Sequence, residues 1–257
     1  MILTFELVER RVGRRHRRRA YHRRVVDDAR GQAFIGRTAE LDRLAVAYAR
    51  AIAGESRMII VAGEAGIGKT RLVEAFSGRV ANSGGRVLVG GCLALGTGGL
   101  PYAPFVEAFR VLFRQVDPGA LPALLGPSRG ELARLMPEVR GRPDRRDMDG
   151  PGERRDDGVA PNAGDDRFAQ VRLFELVLGV FDRLAQVAPL VVGVEDLQWA
   201  DPSTRDLFAF LVRNLREERV LLVATIRTDE LDPQHAFRGY LAELERGERV
   251  DRVDLAR

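Results

Sequence analysis

From about Phe34 onward, apolar residues alternate between a helical rhythm and short unbroken runs. Leu41, Leu44, Ala45, Tyr48 and Ile52 recur with a helical period between Thr38 and Gly54, which predicts a helix capped by Thr38. Met58-Ile59-Ile60-Val61-Ala62 is a continuous apolar run closed by a Gly-rich stretch and predicts a buried strand. The helical period returns from Thr70 with Leu72, Val73, Phe76 and Val80, and Asn82-Ser83-Gly84-Gly85 stops it. Arg86 to Gly91 predicts a second strand, and Phe105, Val106, Phe109, Leu112, Phe113 and Val116 mark another helix. Further on, Phe168, Val171, Phe174, Val177, Phe181 and Leu184 set out a long helix from Arg167. Leu190 to Val194 predicts a third strand. Asp201-Pro202 opens a helix, Asp as cap and Pro at its first position, that buries Leu207, Phe208, Leu211 and Leu215. A fourth strand spans Val220 to Ile226, a helix covers roughly His235 to Arg246, and Arg249 to Leu255 reads as a fifth strand. Strands that alternate with helices predict an α/β fold, a parallel sheet covered on both faces. No internal repeat is found.

Two stretches depart from this pattern. Residues 1–30 hold ten arginines against Glu6, Glu9, Asp27 and Asp28, a charge too dense to pack, and predict a separate disordered tail. A nucleic-acid-binding arm, a targeting segment and an overextended start without a role all remain open for it. Residues 140–166 are rich in charge, Gly and Pro and nearly devoid of apolar side chains. They predict a flexible surface insertion, a functional loop being the alternative. The folded domain is therefore expected over residues 31–257.

Composition narrows the picture further. The chain has 257 residues, 45% of them hydrophobic, which excludes wholesale disorder and supplies a substantial core. No apolar run approaches the ~20 residues of a bilayer-spanning helix, so no membrane partner is expected. A single cysteine, Cys92, excludes a disulfide framework or a zinc ribbon and fits a reducing compartment, with the cytoplasm as the expected location. The net charge of +4 is concentrated in the tail, because residues 1–30 carry +6 (ten minus four) and the remainder sums to −2. Of the 41 basic residues, Lys69 alone is a lysine.

That lysine lies in Gly63-Glu64-Ala65-Gly66-Ile67-Gly68-Lys69-Thr70, a glycine, four residues, then Gly-Lys-Thr. A polyphosphate needs converging backbone N–H groups, so the loop must curl with little side-chain bulk, as Gly63, Gly66 and Gly68 allow. The helix after it aims its N-terminal dipole at the anion. Lys69 places an ammonium between the terminal phosphates, and Thr70 offers a hydroxyl oxygen to Mg²⁺. The motif sits between a predicted strand and a predicted helix, the context it requires.

Two other sequence features fall at the same sheet edge. The third strand ends in Glu195-Asp196, at the carboxyl edge where ligands of open α/β sheets bind. One carboxylate can hold Mg²⁺ and the other can orient an attacking water, although two solvated acids at a strand end would look the same. After the fourth strand, Arg227 brings a guanidinium that could read a γ-phosphate, or could be an ordinary surface arginine.

These residues resemble a known group. Phe34-Ile35-Gly36-Arg37-Thr38-Ala39-Glu40-Leu41 resembles the opening box of STAND and AAA-type ATPases. Glu195-Asp196-Leu197-Gln198-Trp199-Ala200-Asp201 looks like their Walker B region. Leu222 to Leu231 is similar to their sensor strand, and Gly99-Leu100-Pro101-Tyr102-Ala103-Pro104-Phe105 matches a recurrent segment after the second strand. The nearest group is the ATPase domain of large LuxR-type transcriptional regulators, shared with origin-recognition-complex-like AAA ATPases.

The resemblance implies a P-loop three-layer sandwich of the additional-strand type, with a parallel five-stranded sheet in the order 2-3-4-1-5. It implies ATP as the nucleotide, with Mg²⁺, bound by Gly63, Glu64, Ala65, Gly66, Ile67, Gly68, Lys69, Thr70 and Arg71. Gly36 and Arg37 line the adenine side, and Thr70 and Glu195 are the metal ligands. Asp196 takes the water-activating role and Arg227 the sensor role. The acids stand here as Glu then Asp, the reverse of the usual order, and Asp196 has the shorter reach. The family continues into a helical lid, repeats and, in LuxR-type members, a DNA-binding helix-turn-helix. This sequence stops at Arg257, so an isolated or truncated core is expected, its DNA contacts confined to an absent C-terminal domain or the N-terminal tail.

The expected function is an ATP-binding, slowly hydrolysing regulatory switch that self-associates on binding ATP. A non-hydrolysing nucleotide-sensing adaptor and a nucleic-acid binder acting through residues 1–30 are the alternatives.

Overall fold

A computed structural model describes residues 36–94, 100–117, 119–126, 132, 163–231 and 237–256. Thus the Arg-rich tail at 1–30, the Phe34-Ile35 start of the first box and residues 140–162 of the expected insertion lie outside the described residues. The elements in chain order are α1 (Thr38–Ile52), β1 (Arg57–Gly63), α2 (Lys69–Asn82), β2 (Arg86–Gly91), α3 (Ala103–Gln115), α4 (Leu121–Leu125) and α5 (Ala163–Val187). Then follow β3 (Leu190–Glu195), a 3₁₀ turn (Leu197–Trp199), α6 (Pro202–Asn214), β4 (Val220–Arg227), α7 (Phe237–Glu245) and β5 (Val250–Asp254).

The five strands form one sheet in the order β2-β3-β4-β1-β5, as expected. Every pairing is parallel, with Gly63 opposite Arg227 and Gly91 opposite Glu195 in the register. The carboxyl ends of β1, β3 and β4 therefore open side by side on one edge.

The unbroken apolar runs follow from burial on both faces. Met58, Ile60 and Ala62 of β1, Leu190, Val192 and Val194 of β3, and Leu222, Ala224 and Ile226 of β4 join one core with α3, α5, α6 and α7. The intervening residues Ile59, Val61, Val191 and Val223 are equally buried, on the face where α1 and α2 pack. At β2, a Cβ on Gly90 would lie 1.9 Å from the Pro104 carbonyl oxygen, so the start of α3 can press against the strand only because that residue is glycine.

Several sequence expectations change at the helix ends. Thr38 lies inside α1, and the cap position falls on Arg37, which makes no side-chain cap bond. Ala45 and Ile52 face solvent, while Ala47 and Ala51 fill the buried stripe with Leu41, Leu44 and Tyr48. Small alanines on both faces hid that rotation. Helix α5 begins at Ala163 rather than Arg167, and takes in the end of the stretch read as an insertion. Phe168 and Val171 are exposed at its start, and the buried stripe begins at Phe174. The cap on α6 is as expected: Asp201 accepts hydrogen bonds from the Ser203 and Thr204 N–H groups, and Pro202 stands at the first turn.

Candidate functional site

The stretch Gly63–Thr70 joins β1 to α2 as a curled loop. Gly66 and Gly68 have φ of +77° and +103°, a left-handed region that favours glycine, and nothing lies within 4 Å of a Cβ built on either. No other atom therefore crowds the loop at these two positions. Glu64, Ala65, Gly66, Thr70 and Arg71 are exposed there, within reach of a ligand arriving from solvent.

Lys69 is buried at the start of α2, its Nζ donating to the Gly63 and Glu64 carbonyls, each at 2.8 Å. The ammonium is thereby held across the mouth of the loop. Burial lowers the lysine's pKa below its ordinary value, with Arg227 acting the same way, and the Asp196, Asp229 and Glu230 carboxylates oppose the shift. These residues, remote in sequence, share one electrostatic environment.

Asp196 holds a left-handed conformation, φ 52° and ψ 49°, at the end of β3. Such a conformation is uncommon for a side-chain-bearing residue, and Asp is among those that tolerate it. Its N–H donates to Thr225 Oγ1 at 2.9 Å, which fixes the turn against the neighbouring strand. The carboxylate takes both ends of the Arg227 fork, Nε at 3.1 Å and Nη2 at 3.2 Å. Arg227 also donates to Glu230 at 3.0 Å, and its guanidinium lies 4.2 Å from the centre of the Trp199 ring. Hydrogen bonding and charge from Asp196, with Glu230, raise the arginine's pKa against the opposing effect of burial.

The structure therefore gathers the loop, Lys69, Thr70, Glu195, Asp196 and Arg227 at one sheet edge. Arg37 lies further out: its guanidinium donates to Glu40 at 2.9 Å and to the Ala256 carbonyl at 2.5 Å, just past β5. Leu255 stands between, donating its N–H to the Ala62 carbonyl and packing near Gly63. Gly36 precedes Arg37 with φ of +99°.

Three residues lie within motifs read from the sequence but were given no role there. Gln198 Oε1 accepts the Arg227 N–H at 3.2 Å, and its buried Nε2 has no partner among the described residues. Trp199 supplies the ring beneath Arg227. Asp229 Oδ1 accepts the Ala65 N–H at 3.0 Å. Their motif neighbours were visible in sequence, but these contacts cross from one strand end to another.

The donor set suits a triphosphate with a hard cation. Thr70 and the β3 acids offer oxygen ligands only, and no group of three His, Cys, Asp or Glu residues among those described could enclose a metal. Mg²⁺ is ordinarily held by one or two protein oxygens together with substrate phosphates and water.

Residues 33–223 match the family model described as AAA ATPase domain. The chain belongs to that family. Nucleotide binding and ATPase chemistry are the family's activity, and the parallel 2-3-4-1-5 sheet is its architecture here. An uncharacterized protein of Rhizobium meliloti (strain 1021) is 26% identical over 206 residues, covering 77% of this chain and 19% of the relative. The chain thus spans about a fifth of that relative's length. Among solved structures, it is similar to a chain of Drosophila ORC bound to poly(dA/dT) DNA and Cdc6, with 15% identity, TM-score 0.42, and coverage of 93% of this chain and 32% of that one. Caenorhabditis elegans PCH-2 gives 11% identity, TM-score 0.38, and coverage of 85% and 42%. No helix among the described residues is long and apolar enough to cross a membrane.

Proposed function

We propose that this AAA ATPase domain is a regulatory switch that binds ATP with Mg²⁺ and hydrolyses it slowly, as its resemblance to LuxR-type regulators implies. One observation carries the reading: a glycine curl with a buried lysine shares its sheet edge with two strand-end carboxylates. In this reading the loop N–H groups and the α2 N-terminus hold the phosphates, and Lys69 exchanges its carbonyl partners for phosphate oxygens. Thr70 and Glu195 would hold Mg²⁺, which supplies charge neutralisation at the phosphates. Asp196 orients the attacking water and takes up its proton, after Arg227 has moved from the carboxylate to the γ-phosphate. Gly36 and Arg37 line the adenine side.

A second reading, a nucleotide sensor without turnover, is favoured by the same Asp196–Arg227 ion pair, because both carboxylate oxygens are engaged by the guanidinium rather than by a water. Self-association on ATP binding belongs to the switch reading. DNA contact through residues 1–30 is a separate proposal, tested by deleting them and comparing the salt dependence of DNA binding.

The decisive experiment measures ATP binding by Lys69→Ala. Loss of a charge-assisted contact predicts a fall of about 10- to 100-fold. Unchanged affinity in a folded variant refutes the assignment. Phosphate release under excess ATP separates the switch from the sensor.

A further inference from the structure

The turn that follows β4 reaches over the phosphate loop. Asp229 Oδ1 accepts the Ala65 N–H at 3.0 Å, and the Thr228 N–H donates to the Gly63 carbonyl at 3.3 Å. Two residues before Asp229, Arg227 grips the Asp196 carboxylate through Nε and Nη2. Leu231 N–H closes the turn onto the Thr228 carbonyl at 3.4 Å. One short segment, Arg227–Leu231, thus fastens both walls of the cleft.

A loop curled to present N–H groups attracts an anion, and the chain supplies one of its own. We propose that Asp229 is a built-in competitor of the nucleotide: its carboxylate occupies a loop amide that a phosphate oxygen must take, and its displacement loosens Arg227 from Asp196. This inference rests on the nucleotide reading above and adds how binding at that site is regulated. An N–H donating to Asp229 cannot serve a phosphate oxygen equally well, and two anions at one amide repel. Triphosphate entry therefore expels the carboxylate. Asp229 and Arg227 share one turn, so the movement that frees Ala65 also strains the grip on Asp196, releasing the carboxylate only when phosphate is present. Occupancy of the loop thereby gates the acid at the end of β3.

The contact is exposed to solvent, so its effect is modest. Asp229→Ala is expected to tighten binding of a fluorescent ATP analogue by about two- to tenfold. In protein labelled with ¹⁵N-alanine, the Ala65 amide resonance should shift between the wild type and this variant without nucleotide. Glu230→Gln removes a neighbouring charge and weakens the Glu230 bond to Arg227 without freeing the Ala65 amide, and should tighten binding by less than half as much. Unchanged or weaker binding in Asp229→Ala overturns the proposal, as does an equal gain in Glu230→Gln, which would make the effect one of charge alone. Weaker binding confined to assays with Mg²⁺ also overturns it, since Asp229 would then be serving the cation. Should the wild type bind no nucleotide, the functional reading fails by itself. The Ala65 resonance in the nucleotide-free protein then still decides whether the carboxylate holds that amide.

Discussion

Replacing Asp196 by Asn separates the site's chemistry from its stability. Asn tolerates the left-handed φ of 52° that Asp196 adopts, whereas Ala there would add roughly 1 kcal/mol of backbone strain. The variant keeps an oxygen that can accept from Arg227 but loses the charge. That ion pair is bidentate, with side chains 24% and 28% exposed, so solvent screens it and its worth is about 1 kcal/mol. Folding should then cost no more than about 1 kcal/mol, against a total of roughly 5–15. Turnover is another matter, because a group that takes a proton in the transition state contributes about 10²- to 10⁴-fold. Asp196→Asn should therefore melt within a few degrees of the wild type, bind ATP at least as tightly, and release phosphate at least 100-fold more slowly, by about the lower bound for such a group. Thermal melting, titration with a fluorescent ATP analogue and a phosphate-release assay read the three quantities. Phosphate release within about threefold of the wild type would remove Asp196 from the chemistry. Glu195→Gln supplies the companion result, a loss of the Mg²⁺-dependent gain in ATP affinity. If Glu195→Gln stops turnover and leaves that gain intact, the two acids have exchanged roles.

Two further outcomes follow from groups beside the site. Asp201→Ala removes the acceptor of the Ser203 and Thr204 N–H groups and orphans the buried Thr204 hydroxyl, which itself accepts the Tyr102 N–H at 2.9 Å. The cap and the stranded hydroxyl together should cost about 2–4 kcal/mol in denaturant unfolding, and a cost below about 0.5 kcal/mol would show that the contacts carry little. Burial, with Asp196, Asp201 and Glu107 nearby, pushes the Cys92 thiol from its reference 9.0 up to about 12. A raised thiol pKa favours the protonated folded state, so stability from this group is intact below pH 9 and declines as pH climbs from about 9 towards 12. Native protein should resist iodoacetamide at pH 8.5 while denatured protein reacts, and equal alkylation rates would contradict the burial.

The phosphate loop was legible because its chemistry is local: glycines, lysine and threonine occupy eight consecutive residues, and the strand and helix that must flank them are periodic. The three central strands β1, β3 and β4 were legible because burial on both faces leaves no polar alternation to confuse them. Their order was not read from periodicity; the resemblance implied it and the sheet agrees. What escaped depends on distance along the chain. Arg227 lies 31 residues from Asp196, Asp229 lies 164 from Ala65, and Arg37 lies 219 from Ala256, yet each pair is bonded. Strand ends could be assigned to one edge from sequence, but no spacing rule reveals which side chains pair across it. The exposed Phe168 and Val171 show the converse, an apolar period that continues beyond the stripe which the described residues bury.

Those long-range contacts change what binding at this edge must mean. Lys69 is satisfied by loop carbonyls, Arg227 by Asp196 and Glu230, and the Ala65 amide by Asp229. These three groups that a triphosphate would recruit already have partners within the chain. Nucleotide binding is consequently an exchange of partners, and the gain per contact is the difference between a phosphate oxygen and the carbonyl or carboxylate it replaces. Affinity is lower than in a cleft with idle charges. On the reading proposed above, displacing these internal bonds is what would couple triphosphate binding to a change at the β3 acids.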